Sequence, residues 1–183
     1  MEYELIRSRR KSLAVEFKGG RLIVRAPLWA TDAQIERFLR DNQERIEAYL
    51  EKVQAREAEK ADVRKLTYEE IRALANRALE VIPQRVAYYA PLVGVTYGRI
   101  TIRNQRTRWG SCSAQGNLNF NCLLMLAPPE VLDSVVVHEL CHRKEPNHSK
   151  RFYDEVLRVF PDYWTHNKWL KENGHKLLAV LGE

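Results

Sequence analysis

Residues 138–142 read His138-Glu139-Leu140-Cys141-His142, the pattern H-E-x-x-H. On a helix, positions i and i+4 share one face about one turn apart, so two imidazoles there can grip one metal ion. Glu139 adjoins the first histidine and is placed to act as general base toward a water at that ion. A catalytic zinc site takes three protein ligands and keeps one position open. His148, six residues past His142 and beyond a Pro146-Asn147 turn, is the expected third ligand. A carboxylate from the following helix, Asp154 or Glu155, is the other option. Zinc is the default ion for this donor set, although Ni²⁺ also accepts imidazole.

The spacing of these three histidines equals that of H-E-x-x-H-x-x-G-x-x-H. Glu145 stands where that pattern has glycine, and no methionine follows the site. The other histidines, His166 and His175, read as surface or supporting residues rather than ligands. Hydrolysis also needs a donor for the developing oxyanion, and Arg106, Arg108, Tyr163 and His166 are the candidates. Cys112, Cys122 and Cys141 form no CxxC pair and read as free thiols in a reducing compartment, the cytoplasm. A cysteine nucleophile at Cys112 is the weaker account, because a metal helix explains the histidines better. Cys141 falls off the face that His138 and His142 share.

No acidic residue lies between Glu80 and Glu130, a run that holds Arg85, Arg99, Arg103, Arg106 and Arg108. Arg103, Arg106 and Arg108 could bind phosphate, as a nucleotide or a nucleic acid. The alternative is a set of solvated arginines. Trp109 reads as a packing anchor rather than a base-stacking platform.

The elements that must position these residues follow from periodicity. Leu13, Val15 and Phe17 alternate, Gly19-Gly20 signals a hairpin, and 21–26 returns as a strand. With 3–8 these predict a small N-terminal antiparallel sheet. Thr31 or Asp32 caps a helix running to about residue 60, where the domain boundary is expected. This gives a β-rich part over 1–60 and a second domain over 61–183. Thr67 and Glu70 form a capping box for the next helix, with Pro83 a point of kinking. Strands follow at 95–104 and 118–122, with an Arg-, Ser- and Gly-rich loop at 106–115. Pro128-Pro129 opens the metal helix, about 130–144, whose apolar Val131, Leu132, Val135, Val136 and Leu140 anchor it in a core. Helices at about 149–159 and 162–181 complete the chain, with Gly174 a weak point in the last. The fold class is α+β.

Composition sets outer limits. The chain has 183 residues, is 45% hydrophobic and 30% charged, and carries a net charge of +6. This describes an ordinary globular protein rather than a disordered chain or a disulfide scaffold. No apolar run approaches the ~18 residues of a membrane span, so no membrane partner is expected. The N-terminal residues lack the apolar stretch of a secretory signal.

The segments Arg108-Trp109-Gly110-Ser111-Cys112-Ser113, Gly116-Asn117-Leu118-Asn119, Leu126-Ala127-Pro128-Pro129, Val137 to His142, Asn147-His148-Ser149-Lys150-Arg151-Phe152 and Pro161-Asp162-Tyr163 resemble the YgjP-like metal-dependent hydrolases. That family is related to the WLM and SprT-like zincin metallopeptidases. The resemblance implies a zincin-like C-terminal domain behind a β-rich N-terminal part and a helical connection. It implies zinc on His138, His142 and His148, with Glu139 as the catalytic glutamate. It also implies a zinc-dependent metallopeptidase acting on a peptide or protein. A nucleotide-pyrophosphatase activity has been attributed to family members, so a metal-dependent pyrophosphatase of UTP-type nucleotides is the alternative. A nucleic-acid-binding module with a metal site is the third reading. In zincins an edge strand pairs with the extended substrate, a role expected here of 116–121.

Overall fold

Gly19 and Gly20 adopt φ of 58° and 77°, the pair of positive values that a two-residue type I′ hairpin turn requires. A computed structural model describes residues 2–182 of the chain. Contacts divide it into two compact units, Met1–Asp62 and Val63–Glu183.

In the first unit the hairpin joins β2 (Ala14–Lys18) to β3 (Arg21–Pro27), with Val15 opposite Val24 and Phe17 opposite Leu22. Strand β1 (Glu4–Ser8) lies on the other side of β3 and runs parallel to it. The N-terminal sheet is therefore mixed, not purely antiparallel as expected. The segment 9–13 crosses β3 instead of turning tightly beside it, so it sets β2 and β1 on opposite edges. Val24, Ala26, Ala30 and Ile35 form the core of this unit, with Leu13 and Leu39 packed on it. Thr31 caps α1 (Asp32–Asp41) in a reciprocal box with Gln34. The helix expected to continue to residue 60 is interrupted at Asn42, whose amide donates to the Phe38 carbonyl at 2.9 Å. Asn side chains compete with the helical backbone in this way. Helix α2 (Gln43–Ala61) resumes directly after it.

The second unit begins with α3 (Tyr68–Val93), capped by Thr67 and Glu70 and ended by Gly94 in the left-handed conformation at φ 79°. Pro83 sits within α3 as one continuous helix. A second small sheet has the order β4-β6-β5: β4 (Ile100–Arg103), β5 (Gly110–Cys112) and β6 (Leu118–Asn121). β6 is its central strand, parallel to β4 and antiparallel to β5. A 3-10 turn (Cys122–Leu126) leads into α4 (Pro129–Cys141), followed by α5 (Lys150–Val159) and α6 (Tyr163–Ala179). Ser149 caps α5.

Helix α4 lies inside the core. Val131, Val136, Val137, Leu140 and Cys141 are all at most 1% exposed, packed among Val86, Phe120, Leu123, Leu124 and Phe152. Its one buried acid besides Glu139, Asp133, accepts two 2.6 Å hydrogen bonds from Arg85 of α3 and one from the Tyr89 hydroxyl at 3.2 Å. A paired, hydrogen-bonded carboxylate tolerates burial where a lone one would not. Gly174 does not break α6. A β-carbon there would lie 3.0 Å from the Trp109 ring, so the glycine lets Trp109 seat against the helix. The architecture is α+β, as expected. Among the described residues no helix is long and apolar enough to cross a membrane.

Candidate active site

A helix buried over most of its circumference cannot rotate or fray, so α4 holds whatever it projects from its open face. That face carries His138 and His142, and the loop after α4 brings His148 against them. One ring nitrogen from each of these three histidines lies within 4.8 Å of the others. Each ring packs on Phe152, fully buried on α5, at centroid distances of 4.9, 4.6 and 4.9 Å.

The hydrogen bonds settle which nitrogens are spent. His138 Nδ1 lies 2.9 Å from the Tyr163 hydroxyl, and the Asn167 amide donates to that same hydroxyl at 3.0 Å. His142 Nδ1 faces the Glu145 carbonyl at 3.2 Å and donates to it. The Nε2 atoms are left for the cluster, and those of His138 and His148 are 3.0 Å apart. Zn–N bonds of about 2.0–2.1 Å put two nitrogens of a tetrahedral ion roughly 3.3 Å apart. Burial, then the neighbouring imidazoles, push His138 down to about 3, and burial also lowers His142. Neutral imidazole is the form that binds a metal. Three ring nitrogens within 4.8 Å of one another fit a divalent ion.

Glu139 is 6% exposed. Burial raises its carboxyl to about 8, opposed by the Arg108 guanidinium. It sits between two cavities of about 270 and 490 Å³, both bordered by Arg108, Gly110, His138 and Glu139. Gly110 belongs to β5, so β5 is the sheet edge beside the site. The expectation that 116–121 is that edge is corrected: β6 is flanked on both sides, and β5 forms within the 106–115 stretch expected as loop.

The oxyanion candidates separate in space. Arg108 is exposed at the border of both cavities, and its guanidinium has no hydrogen bond or ion pair among the described residues. Tyr163 is beside the cluster, and its hydroxyl oxygen accepts from His138 Nδ1 and from the Asn167 amide, which leaves its own proton free. Arg106 instead donates to the Gly182 carbonyl at 2.6 Å. His166 packs on Phe160 at 5.5 Å and borders neither cavity, nor does Arg103. The alternative carboxylate ligands are committed elsewhere: Glu155 to Lys144 and Arg158, Asp154 to Lys150. Cys112 lines the larger cavity, but burial and the nearby Glu139 push its thiol up, away from the nucleophilic thiolate.

Sequence reasoning missed Phe152, Asn167, Gly110 and Arg143 as parts of the site. Asn167 lies four residues after Tyr163 on α6, a helical spacing that could have drawn attention to it, whereas Phe152 is on α5 and His148 precedes the Ser149 cap. Arg143 donates to the carbonyls of Thr96 and Ala114 at 3.1 and 3.0 Å, pinning the turn after β5 to the end of α4. Gly116 at φ 82° makes room for that guanidinium. Nothing in the local sequence signals this long-range pair.

Residues 62–173, more than half of the chain, match the model of the YgjP-like metallopeptidase domain. Two crystal structures are also similar. The metallopeptidase zymogen of Pyrococcus abyssi abylysin has 19% identity and a TM-score of 0.46, covering 50% of this chain and 94% of that one. The metallopeptidase zymogen of Methanocaldococcus jannaschii jannalysin has 20% identity and a TM-score of 0.45, covering 50% and 95%. No curated relative matches the chain.

Proposed function

Because the chain belongs to the YgjP-like metallopeptidase family, we propose that it hydrolyses peptide bonds with a zinc ion on His138, His142 and His148 and with Glu139 as general base. The observation that carries this reading is the convergence of three imidazole nitrogens within 4.8 Å beside a buried glutamate that borders two open cavities. A bound zinc ion supplies Lewis acidity toward the scissile carbonyl and toward water.

The chain's own residues do the rest. Glu139 takes a proton from the attacking water and delivers it to the leaving nitrogen. Its burial favours holding that proton, and the Arg108 charge favours releasing it. Two of the four candidates can serve as oxyanion donor: Arg108 lies beside Glu139 with its guanidinium uncommitted, and the Tyr163 hydroxyl, whose oxygen accepts from His138 Nδ1 and Asn167, keeps its own proton to donate. Tyr163 and Asn167 orient His138 and thereby fix its Nε2. The free edge of β5 receives the extended substrate by strand addition.

The phosphate-binding reading needs Arg103, Arg106 and Arg108 to converge. Arg106 is turned to Gly182 and Arg103 stands away from both cavities, which favours a peptide over a nucleotide. The test compares zinc-loaded protein with Glu139→Gln on unstructured casein, UTP and single-stranded DNA. Casein turnover that the variant loses supports the proposal. Turnover of UTP alone overturns it, as does DNA binding indifferent to the variant with no turnover of any substrate.

A further inference from the structure

Between Asn104 and Arg108 the chain forms neither helix nor strand, yet this segment carries Arg108 to the border of both cavities. The Arg108 side chain is exposed, so its placement rests on the backbone beneath it. A donor stabilises developing charge best when it is held in place before the reaction begins. Two side chains from distant parts of the fold hold this backbone.

The first is Asn121, fully buried at the end of β6. Its side-chain amide donates to the Gln105 carbonyl at 2.6 Å and to the Arg108 carbonyl at 3.1 Å. Its own N–H donates to the Trp109 carbonyl at 2.8 Å. Its Oδ1 accepts from the Leu123 N–H at 3.1 Å. One side chain thus closes residues 105–108 into a loop and ties that loop to the start of the 3-10 turn. The second is Arg106, whose guanidinium donates to the Gly182 carbonyl at 2.6 Å. That bond anchors the middle of the loop to the chain after α6, on which Trp109 is also seated at Gly174.

We infer that Asn121 and Arg106 are positioning residues for the reaction: they brace the 105–108 loop so that Arg108 stands beside Glu139, and they act through Arg108 rather than on the substrate. The inference rests on the peptidase reading for its catalytic purpose, while the brace itself is measured without turnover. Asn121→Ser keeps a hydroxyl to accept from Leu123 but is too short to bind both carbonyls. Arg106→Gln removes the other arm at an exposed position. Circular dichroism confirms that each zinc-loaded variant is folded. Trypsin cuts after Arg108, and mass spectrometry follows the rate. That cut should be at least about tenfold faster in Asn121→Ser than in the native protein, because a loop is cleaved in proportion to its open population. Arg106→Gln should give a smaller increase.

Casein turnover then tests whether the brace acts through Arg108. Arg108→Gln alone should lower kcat by about a hundredfold, the usual cost of losing one oxyanion donor. Asn121→Ser alone should lower it by about tenfold, since a misplaced group loses much of its effect. In the double variant Asn121→Ser should cost nothing further, because residues that act as a unit do not add. Zinc affinity should stay native throughout. Equal tryptic rates in the native protein and folded Asn121→Ser overturn the brace. If Asn121→Ser does not fold, Arg106→Gln carries the same two readings, and equal rates there overturn it. Losses that multiply in the double variant, or full activity in Arg108→Gln, overturn action through Arg108 and leave the peptidase standing. A native protein that turns over no casein, with a loop opened by Asn121→Ser, overturns the peptidase reading and the catalytic purpose of the brace together.

Discussion

Gly110 faces Glu139 so closely that a β-carbon at position 110 would lie 2.7 Å from the carboxylate oxygen Oε1. The edge strand of the second sheet and the buried glutamate of α4 thus share one space, and glycine is the residue that lets both occupy it. Gly110→Ala should displace the Glu139 carboxyl and lower kcat/KM for casein by about a hundredfold, since sub-ångström errors in placing a catalytic group are costly. Zinc content should stay at the native level because the histidines are untouched. Unchanged activity in a folded variant would remove Glu139 from the reaction or show that its carboxyl has room elsewhere.

Glu139 also predicts a pH dependence for the metal-free protein. Its folded carboxyl is raised to about 8 from an ordinary 4.5. Between those values the folded state holds a proton that the unfolded state has lost, so stability falls as pH rises through this window. Glu139→Gln carries no such proton. Thermal unfolding of metal-free protein at pH 5 and pH 9 should show the variant's relative advantage growing at pH 9. An advantage that is equal at both would contradict the raised carboxyl. His138 works in the opposite sense: its folded value near 3 means stability is lost as pH falls below about 6.5.

Tyr163→Phe removes the partner of His138 Nδ1 and of the Asn167 amide. Loss of such a supporting hydrogen bond typically weakens metal affinity about 10–100-fold. Competition against a chromophoric chelator measures it, and Asn167→Ala should give a smaller loss in the same direction because Tyr163 remains. Native affinity in Tyr163→Phe would mean the hydroxyl does not orient the ring.

His148→Ala and Glu155→Gln separate the two accounts of the third ligand. The first should cost most of the zinc affinity, while the second should leave it unchanged, since Glu155 is bound to Lys144 and Arg158. The same chelator titration decides between them, and the reverse result would transfer the role to Glu155.

Phe152 is fully buried and touches all three histidine rings. Phe152→Ala should destabilise the protein by about 3–5 kcal/mol, the usual cost of an aromatic cavity. Denaturant unfolding measures the stability, and zinc affinity should fall with it because the rings lose their common support. A folded variant with native zinc affinity would show that the rings are held by their hydrogen bonds alone.

Helix periodicity carried most of the legible fold. Thr67 and Glu70 marked the start of α3, and Pro128-Pro129 marked the entry to α4 within a residue. Gly19-Gly20 marked the hairpin because only positive φ closes a two-residue turn there. Short-range signals failed where partners were distant. Asn42 interrupts a helix through its own side chain, and no periodicity records that. The three residues of β5 are too few to alternate visibly, and they exist as a strand only because β6 pairs with them.

The linear order of residues by itself determined the candidate donor set: His138 and His142 one turn apart, Glu139 between them, and His148 beyond a Pro-Asn turn. Helical geometry makes the first pair converge wherever such a helix forms, so no tertiary information is needed for it. Tertiary structure alone decided the surroundings. It turned Arg106 away to Gly182 and left Arg108 uncommitted. It set Tyr163 against His138 across 25 residues and made β5, not β6, the edge beside Glu139. Those relationships depend on how separate elements pack, and packing is fixed by contacts between residues far apart in the chain, which local spacing cannot encode.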